Sequence, residues 1–166
     1  MLKYIQLYIR KFIMKKLRKI KKINDFLKFK FLTRYIFIII NGHSMSPTLK
    51  NMSLRIVDKN QNDIKKIDRF DVVFITKRSP INSLGTKYVK RVIGLPNEWI
   101  EIKNNKLFVN GKEVGCKYWL KREFRDNYVW DTKPDEIVII GDNLEYSTDS
   151  RKIGPVGIDC IIGKVI

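Results

Sequence analysis

Ser44 is the first residue in the chain whose surroundings suit covalent chemistry. It stands in Asn41-Gly42-His43-Ser44-Met45-Ser46-Pro47-Thr48-Leu49, directly after the apolar run from Tyr35 to Ile40. A strand that runs into a sharp turn containing Gly and Pro can hold one hydroxyl clear of its own backbone. A nucleophile approaching a carbonyl needs that placement. A polar turn with no further role is the plainer reading, because Ser, Gly and Pro are ordinary turn formers. What separates the two readings is whether the rest of the chain supplies a base.

Histidine is a poor candidate for that base. His43 is the only histidine in the chain, and it directly precedes Ser44. Neighbouring side chains of an extended segment project in different directions, so His43 reads as a turn residue. A lysine can serve instead, provided it is neutral. The free amine has a pKa of about 10.4, and burial among apolar groups lowers it because the charged form loses hydration. Lys90 fits, lying in Tyr88-Val89-Lys90-Arg91-Val92-Ile93-Gly94-Leu95-Pro96. Period-two alternation puts Tyr88, Lys90 and Val92 on one face and Val89, Arg91 and Ile93 on the other. An edge-strand lysine that keeps its charge in water is the alternative, and the sequence does not say which face is buried.

A third cluster completes the set: Gly141-Asp142-Asn143, then Ser147-Thr148-Asp149-Ser150-Arg151. It follows the apolar run Glu136 to Ile140, where a loop can present acids, hydroxyls and an arginine to a site. A capped turn held by an Asp149–Arg151 ion pair accounts for the same residues without a catalytic role.

The elements that must position these groups are mostly short strands. Tyr35 to Ile40, Leu54 to Val57, Asp71 to Ile75, Lys87 to Leu95, Trp99 to Ile102 and Lys106 to Val109 are β-rich runs bounded by turn residues. Lys112 to Val114, Glu136 to Ile140 and Cys160 to Ile166 follow in the same style. Asn104-Asn105 and Asn110-Gly111 mark hairpin turns. Ser79 to Gly85 is a loop, and the aromatic-rich stretch 116–135 reads as a variable excursion from the sheet. The fold class is mainly β, built of hairpins and a partly closed sheet.

At 166 residues the chain is one domain, or one domain with a tail, large enough to bury a core without cross-links or metals. Cys116 and Cys160 are the only cysteines and share no ligand spacing with His43, so neither a zinc site nor a cofactor is expected. The formal charge of +17 is uneven: residues 1–34 hold 12 of the 34 lysines and arginines against one acid, Asp25. Within that arm Ile5, Ile9, Phe12, Ile13, Leu17, Ile20, Ile23 and Leu27 recur at helical spacing, with Lys11, Lys15, Lys16, Lys19 and Lys22 between them. Association with an anionic membrane surface is the preferred reading. A targeting segment or an ordinary packed helix remain alternatives. Phe26 to Ile40 is too short, and too interrupted by Lys28, Lys30 and Arg34, to span a bilayer.

Four stretches together resemble the type I signal peptidase family of Ser-Lys membrane proteases. They are Gly42 to Leu49, Arg69 to Phe74, Tyr88 to Pro96, and Gly141-Asp142-Asn143 with Ser147 to Arg151 and Gly154-Pro155-Val156. All occur in the family's order across residues 36–166. The resemblance implies Ser44 as nucleophile, Lys90 as general base, Ser147 as the hydroxyl that orients the lysine, and Asp149 with Arg151 as a brace. Asp142 and Asn143 join them as supporting residues. The oxyanion hole would use the backbone N–H of Ser44 with a second donor near Gly42, where some members carry a serine. Phe70 stands where many members have Gly, and Asn97-Glu98 replaces the usual Gly-Asp.

Within the family, the Gly-Asp-Asn-Leu form with Gly-Pro-Val looks most like subunit 1 of the mitochondrial inner membrane peptidase. That implies the intermembrane-space side of the inner membrane, with a bacterial-type plasma membrane, extracytoplasmic side, as the alternative. The expected domains are a basic arm over 1–34 and a catalytic domain over 35–166. Expected partners are precursor proteins bearing a cleavable presequence, a membrane surface and a second peptidase subunit, with no nucleic acid. Two rival functions stay open: a self-cleaving Ser-Lys protease of the SOS-repressor type, and a non-enzymatic protein whose basic arm binds lipid or nucleic acid.

Overall fold

The computed structural model of the protein describes residues 33–60, 66–77, 85–119, 124 and 126–166, together with Lys11, Phe12, Ile13 and Lys15. Most of the expected basic arm, and the loop over 79–84, lie outside the described residues. Among the described residues no helix is long and apolar enough to cross a membrane.

Among the described residues eleven strands make two antiparallel sheets. In chain order they are β1 (Tyr35–Ile39), β2 (Leu54–Asp58), β3 (Val72–Lys77), β4 (Thr86–Gly94), β5 (Trp99–Lys103), β6 (Lys106–Val109), β7 (Lys112–Val114), β8 (Tyr128–Asp131), β9 (Glu136–Ile140), β10 (Val156–Gly157) and β11 (Ile161–Val165). One short helix, α1 (Ser150–Ile153), follows β9, and a single 3-10 turn, Ile158–Cys160, precedes β11. The larger sheet runs β1-β2-β11-β3-β4-β9-β10 and the smaller β7-β6-β5-β8.

Hairpin chemistry sets the smaller sheet. Asn104 and Asn105 (φ 49° and 61°) turn β5 into β6, and Asn110 and Gly111 (φ 49° and 77°) turn β6 into β7. Both pairs take the positive φ angles that match the twist of flanking strands. The expected excursion over 116–135 is corrected here: Tyr128–Asp131 pairs with β5 as β8. Tyr128 and Trp130 alternate with exposed Val129, and Trp119 and Trp130 are buried in the core between the sheets. Alternation leaves Tyr128 and Trp130 on the inward face of β8, and Tyr118, Trp119 and Phe124 pack into the same core from outside the strand.

The core explains why β4 and β9 read as continuous apolar runs. Ile93, Val138 and Ile140 face the smaller sheet, where they meet Ile100, Ile102, Leu107 and Trp130. Val92, Ile137 and Ile139 face the other way, against Val73, Ile75, Val156 and Ile161. Strands covered on both faces carry hydrophobic residues at every position. Lys90 and Arg91 are therefore cations placed in the buried half of β4, and each is 3% exposed. A third cluster, Ile38, Ile40, Met45, Leu49, Val57 and Phe74, anchors the turn that carries Ser44.

Candidate active site

Ser44 is held from both sides of its turn. Its neighbour Met45 is 1% exposed, so the turn is pinned to the core by the side chain that follows the hydroxyl. Leu49 N donates to Met45 O at 2.8 Å and Ser46 N to His43 O at 3.1 Å, closing the turn on itself. Asn143 N donates to Ser44 O at 3.0 Å, which ties the Ser44 carbonyl to the loop after β9. Gly141 lets these segments meet: a Cβ there would stand 2.3 Å from Ser147 Oγ and 2.5 Å from Ser44 O. Any side chain at 141 would push the two loops apart. His43 is exposed, as expected of a turn residue.

Lys90 Nζ lies 2.8 Å from Ser44 Oγ and 2.9 Å from its other acceptor, Val89 O. The second contact turns the lysine toward the edge of its own strand, because β9 pairs with β4 only from Arg91 onward. Burial pushes the Lys90 amine down to about 8, against a smaller upward pull from the carboxylates of Asp149 and Asp142. The net result is an amine that is neutral in part near neutral pH. In the charged form the amine donates to Ser44 Oγ; once deprotonated it can accept the hydroxyl proton along the same line.

The loop after β9 is braced by Asp149, which is fully buried. Its carboxylate accepts Gly141 N at 3.0 Å, Arg151 Nε at 2.8 Å and Arg151 N at 3.2 Å, so it caps α1 while holding the loop's first residue. Arg151 Nη2 reaches Leu144 O at 2.9 Å. Burial alone would raise the Asp149 carboxyl, but the Arg151 guanidinium and the Gly141 N–H hold it below the ordinary range.

Two expectations are adjusted by the geometry. Ser147 is buried beside Gly141, where its hydroxyl is among the groups that hold the Asp149 carboxyl low, while Lys90 Nζ is bonded to Ser44 and Val89 instead. Gly42 N donates to Asn51 Oδ1 at 2.9 Å, so that amide is occupied and does not offer the second oxyanion donor expected near Gly42. Its φ of 98° suits glycine alone. Ser44 N donates to no other group among the described residues.

Sequence reasoning missed two members of the site's frame, Arg91 and Thr48. Arg91 grips Asp142 with Nε at 2.7 Å and with Nη2, and Nη1 donates to Phe70 O at 2.8 Å. Thr48 Oγ1 donates to the same carboxylate, Asp142 Oδ2, from the nucleophile's own turn. The signal was available: an arginine in a doubly covered strand must have a buried anion as partner, and Asp142 is one of the few acids beside an apolar run. Phe70 adopts φ 74°, which explains the family's frequent glycine there, and its ring packs on Tyr118 at 5.6 Å.

A groove of about 920 Å³ opens onto Ser44 and Lys90. Ile38 to Asn41 form one wall and Lys87 to Val89 the other, with Phe74, Tyr146 and Thr148 also lining it. β1 and β4 stand four places apart in the sheet order, so sharing a groove requires the sheet to curl. Among the described residues no three of His, Cys, Asp and Glu cluster to hold a metal ion.

A hydroxyl against a buried amine, at the end of a groove walled by two strand edges, pairs a nucleophile type with a base type without calling on histidine. The chain belongs to the signal peptidase, peptidase S26, family, whose profile matches residues 26–166. It is 38% identical over 141 residues to signal peptidase I of Bacillus caldolyticus, covering 76% of this chain and 75% of that relative. Signal peptidase I V of Bacillus subtilis (strain 168) is 31% identical over 140 residues, or 76% of this chain and 80% of the relative. A crystal structure of a signal peptidase I from Enterococcus faecalis superposes with a TM-score of 0.52 and 26% identity, covering 60% of this chain and 97% of that one. The chain is thus a mainly β serine endopeptidase of the signal peptidase type.

Proposed function

We propose that the chain is a membrane-associated endopeptidase that cuts signal or sorting presequences from precursor proteins, with Ser44 as nucleophile and Lys90 as general base. The observation that carries this reading is the 2.8 Å contact between Ser44 Oγ and an almost wholly buried Lys90 Nζ. Neutral Lys90 takes the Ser44 proton as Oγ attacks the carbonyl before the cut. The ammonium so formed passes that proton to the leaving amine, and an acyl-enzyme remains. Lys90 then takes a proton from water, the hydroxide attacks the ester, and the proton returns to Ser44 as the acid product leaves. Ser44 N–H is aimed at the developing oxyanion, and losing one such donor typically costs about 10²–10³ in rate.

The precursor binds as an added strand in the groove, where the 86–90 edge of β4 faces β1. Asp142, Asn143, Asp149 and Arg151 hold the loop against the nucleophile's turn, and Ser147 fills the space between them. The catalytic domain spans 35–166, preceded by the basic arm over 1–34, which lies on an anionic membrane surface. The bacterial relatives favour a plasma membrane, extracytoplasmic side; the mitochondrial inner membrane, with its second peptidase subunit, is the other location that the sequence suggests.

The test is cleavage of candidate precursors by the purified chain in detergent or lipid, beside Ser44→Ala and Lys90→Ala. Wild type should release mature protein at a single site while both variants release none. Equal cleavage by wild type and Ser44→Ala would sink the mechanism.

A further inference from the structure

Both walls of the groove reach the reacting pair from the same side. Every contact in the order β1-β2-β11-β3-β4 is antiparallel, so β1 and β4 run in the same direction. β1 ends shortly before Ser44, and the free edge of β4 ends at Lys90, because β9 covers that edge only from Arg91 onward. On the other side of the pair β9 takes over the edge, and the loop that follows it closes the groove, tied to Ser44 O through Asn143 N. Two residues of that loop line the groove, Tyr146 and Thr148. Both are exposed and alternate with buried Ser147 and Asp149, so successive side chains here face the groove and the core in turn. Tyr146 is 68% exposed, and its ring joins none of the aromatic pairs among the described residues, such as Phe124–Tyr128 and Tyr128–Trp130, that fill the core.

We propose that Tyr146 is a specificity-determining residue for the segment that leaves: its ring packs on a precursor side chain one or two residues after the scissile bond. This rests on the reading of the groove as the precursor's binding site. The acyl half must stay in place after the first step, while water attacks the ester, so it belongs in the walled section, where pairing to strand edges holds it. The leaving half has only to be oriented until the bond breaks, and its path away from the walls passes the loop after β9. An exposed ring there finds contact area on an aromatic or large apolar side chain and none on glycine. Ring pairs of this kind are worth about two- to tenfold in kcat/KM. The contact exists only before the bond breaks, so it favours acylation and leaves hydrolysis of the acyl-enzyme unchanged.

The experiment compares one precursor peptide, cut by wild type and not by Ser44→Ala, with versions bearing Phe, Leu or Gly at single positions within two residues on either side of the bond. Wild type, Tyr146→Phe and Tyr146→Ala are assayed; the side chain is exposed, so neither variant disturbs the core. The readout is the Phe-to-Gly ratio of kcat/KM within each enzyme, which a general loss of activity does not alter. At one position after the bond the ratio should favour Phe in wild type, persist in Tyr146→Phe and approach unity in Tyr146→Ala, while ratios before the bond stay the same in all three. An ester with the same acyl half and a methyl leaving group should be cleaved equally by wild type and Tyr146→Ala. Ratios unchanged across the three enzymes, ratios altered only before the bond, or an equal loss on the ester overturn the proposal while leaving the protease reading intact. Absence of any Ser44-dependent cleavage overturns both.

Discussion

Lys90 and Arg91 are consecutive, equally buried and cationic in their ordinary states, yet the fold treats them in opposite ways. Arg91 points to the face shared with the smaller sheet, where Asp142 takes it in a two-pronged grip and the Tyr118 ring lies 3.5 Å from its guanidinium carbon. Lys90 points to the other face and meets a hydroxyl and a carbonyl, with no carboxylate in direct contact. The guanidinium cannot shed its proton, so burying it requires an anion. The amine can, so burying it without one yields a base. On the proposed mechanism one strand carries a structural cation and a chemical one, and the partner on each face decides which is which.

The largest expected effect follows from removing the chemical cation. Lys90→Met keeps the volume and takes away the proton acceptor, so the cleavage rate should fall by about 10²–10⁴, the usual contribution of a positioned general base. Stability should not fall with it. Holding Lys90 at about 8 rather than at the unfolded 10.5 costs the folded state ~3 kcal/mol at neutral pH. Thermal unfolding at pH 7 should therefore show Lys90→Met at least as stable as wild type. A variant both inactive and markedly less stable would mean that Lys90 is part of the frame.

Arg91→Met should behave in the reverse sense. It leaves Asp142 buried with only Thr48 as a described side-chain partner, and breaking a buried pair from one side costs about 3–5 kcal/mol. For a domain of this size that lowers the melting temperature by on the order of 10 °C. Replacing both partners, Arg91→Met with Asp142→Leu, should recover most of the loss, because no charge is then stranded. If the double variant is as unstable as the single one, the pair is not what Arg91 supplies.

The contrast between the two cations also marks how far the sequence could be read. Ser44, Lys90 and the 141–151 loop were legible because they lie in short ordered motifs, and the strands because turn residues such as Asn110-Gly111 punctuate them. Alternation even put Lys90 and Arg91 on opposite faces. What alternation leaves undetermined is the covering of each face. That depends on β9, which meets β4 from far along the chain, and on the smaller sheet packing behind Ile93. The same gap hid β8: its aromatic residues look like a polar excursion until Ile100 and Ile102 are beside them. The fate of Gly42 N was hidden too, since nothing local announces that Asn51 would occupy it.

pH separates the two cations without mutation. Cleavage should rise as pH climbs through about 8, where Lys90 becomes neutral. Stability should rise in parallel between about 8 and 10.5, because over that window the unfolded chain binds the proton that the folded one has lost. A guanidinium contributes to neither slope, because that group does not deprotonate in proteins. Denaturant titrations of wild type and Lys90→Met across this range test the point: the wild-type slope attributable to Lys90 should disappear in the variant. If both lines run parallel, Lys90 keeps its charge and is not the base.

The smallest effect is expected at Ser147, whose buried hydroxyl is one of several groups favouring the Asp149 carboxylate. Ser147→Ala removes one of those groups, so stability should fall by no more than about 1 kcal/mol. Its effect on cleavage then distinguishes two ways of steering Lys90. If the hydroxyl acts only by filling the space beside Gly141 and the Ser44 carbonyl, the alanine variant keeps the wild-type midpoint near 8 and loses little rate. If it swings to Lys90 once a precursor occupies the groove, kcat falls while KM holds, and the midpoint in kcat moves although that in kcat/KM does not. The resting geometry, with Lys90 already satisfied by Ser44 and Val89, favours the first outcome.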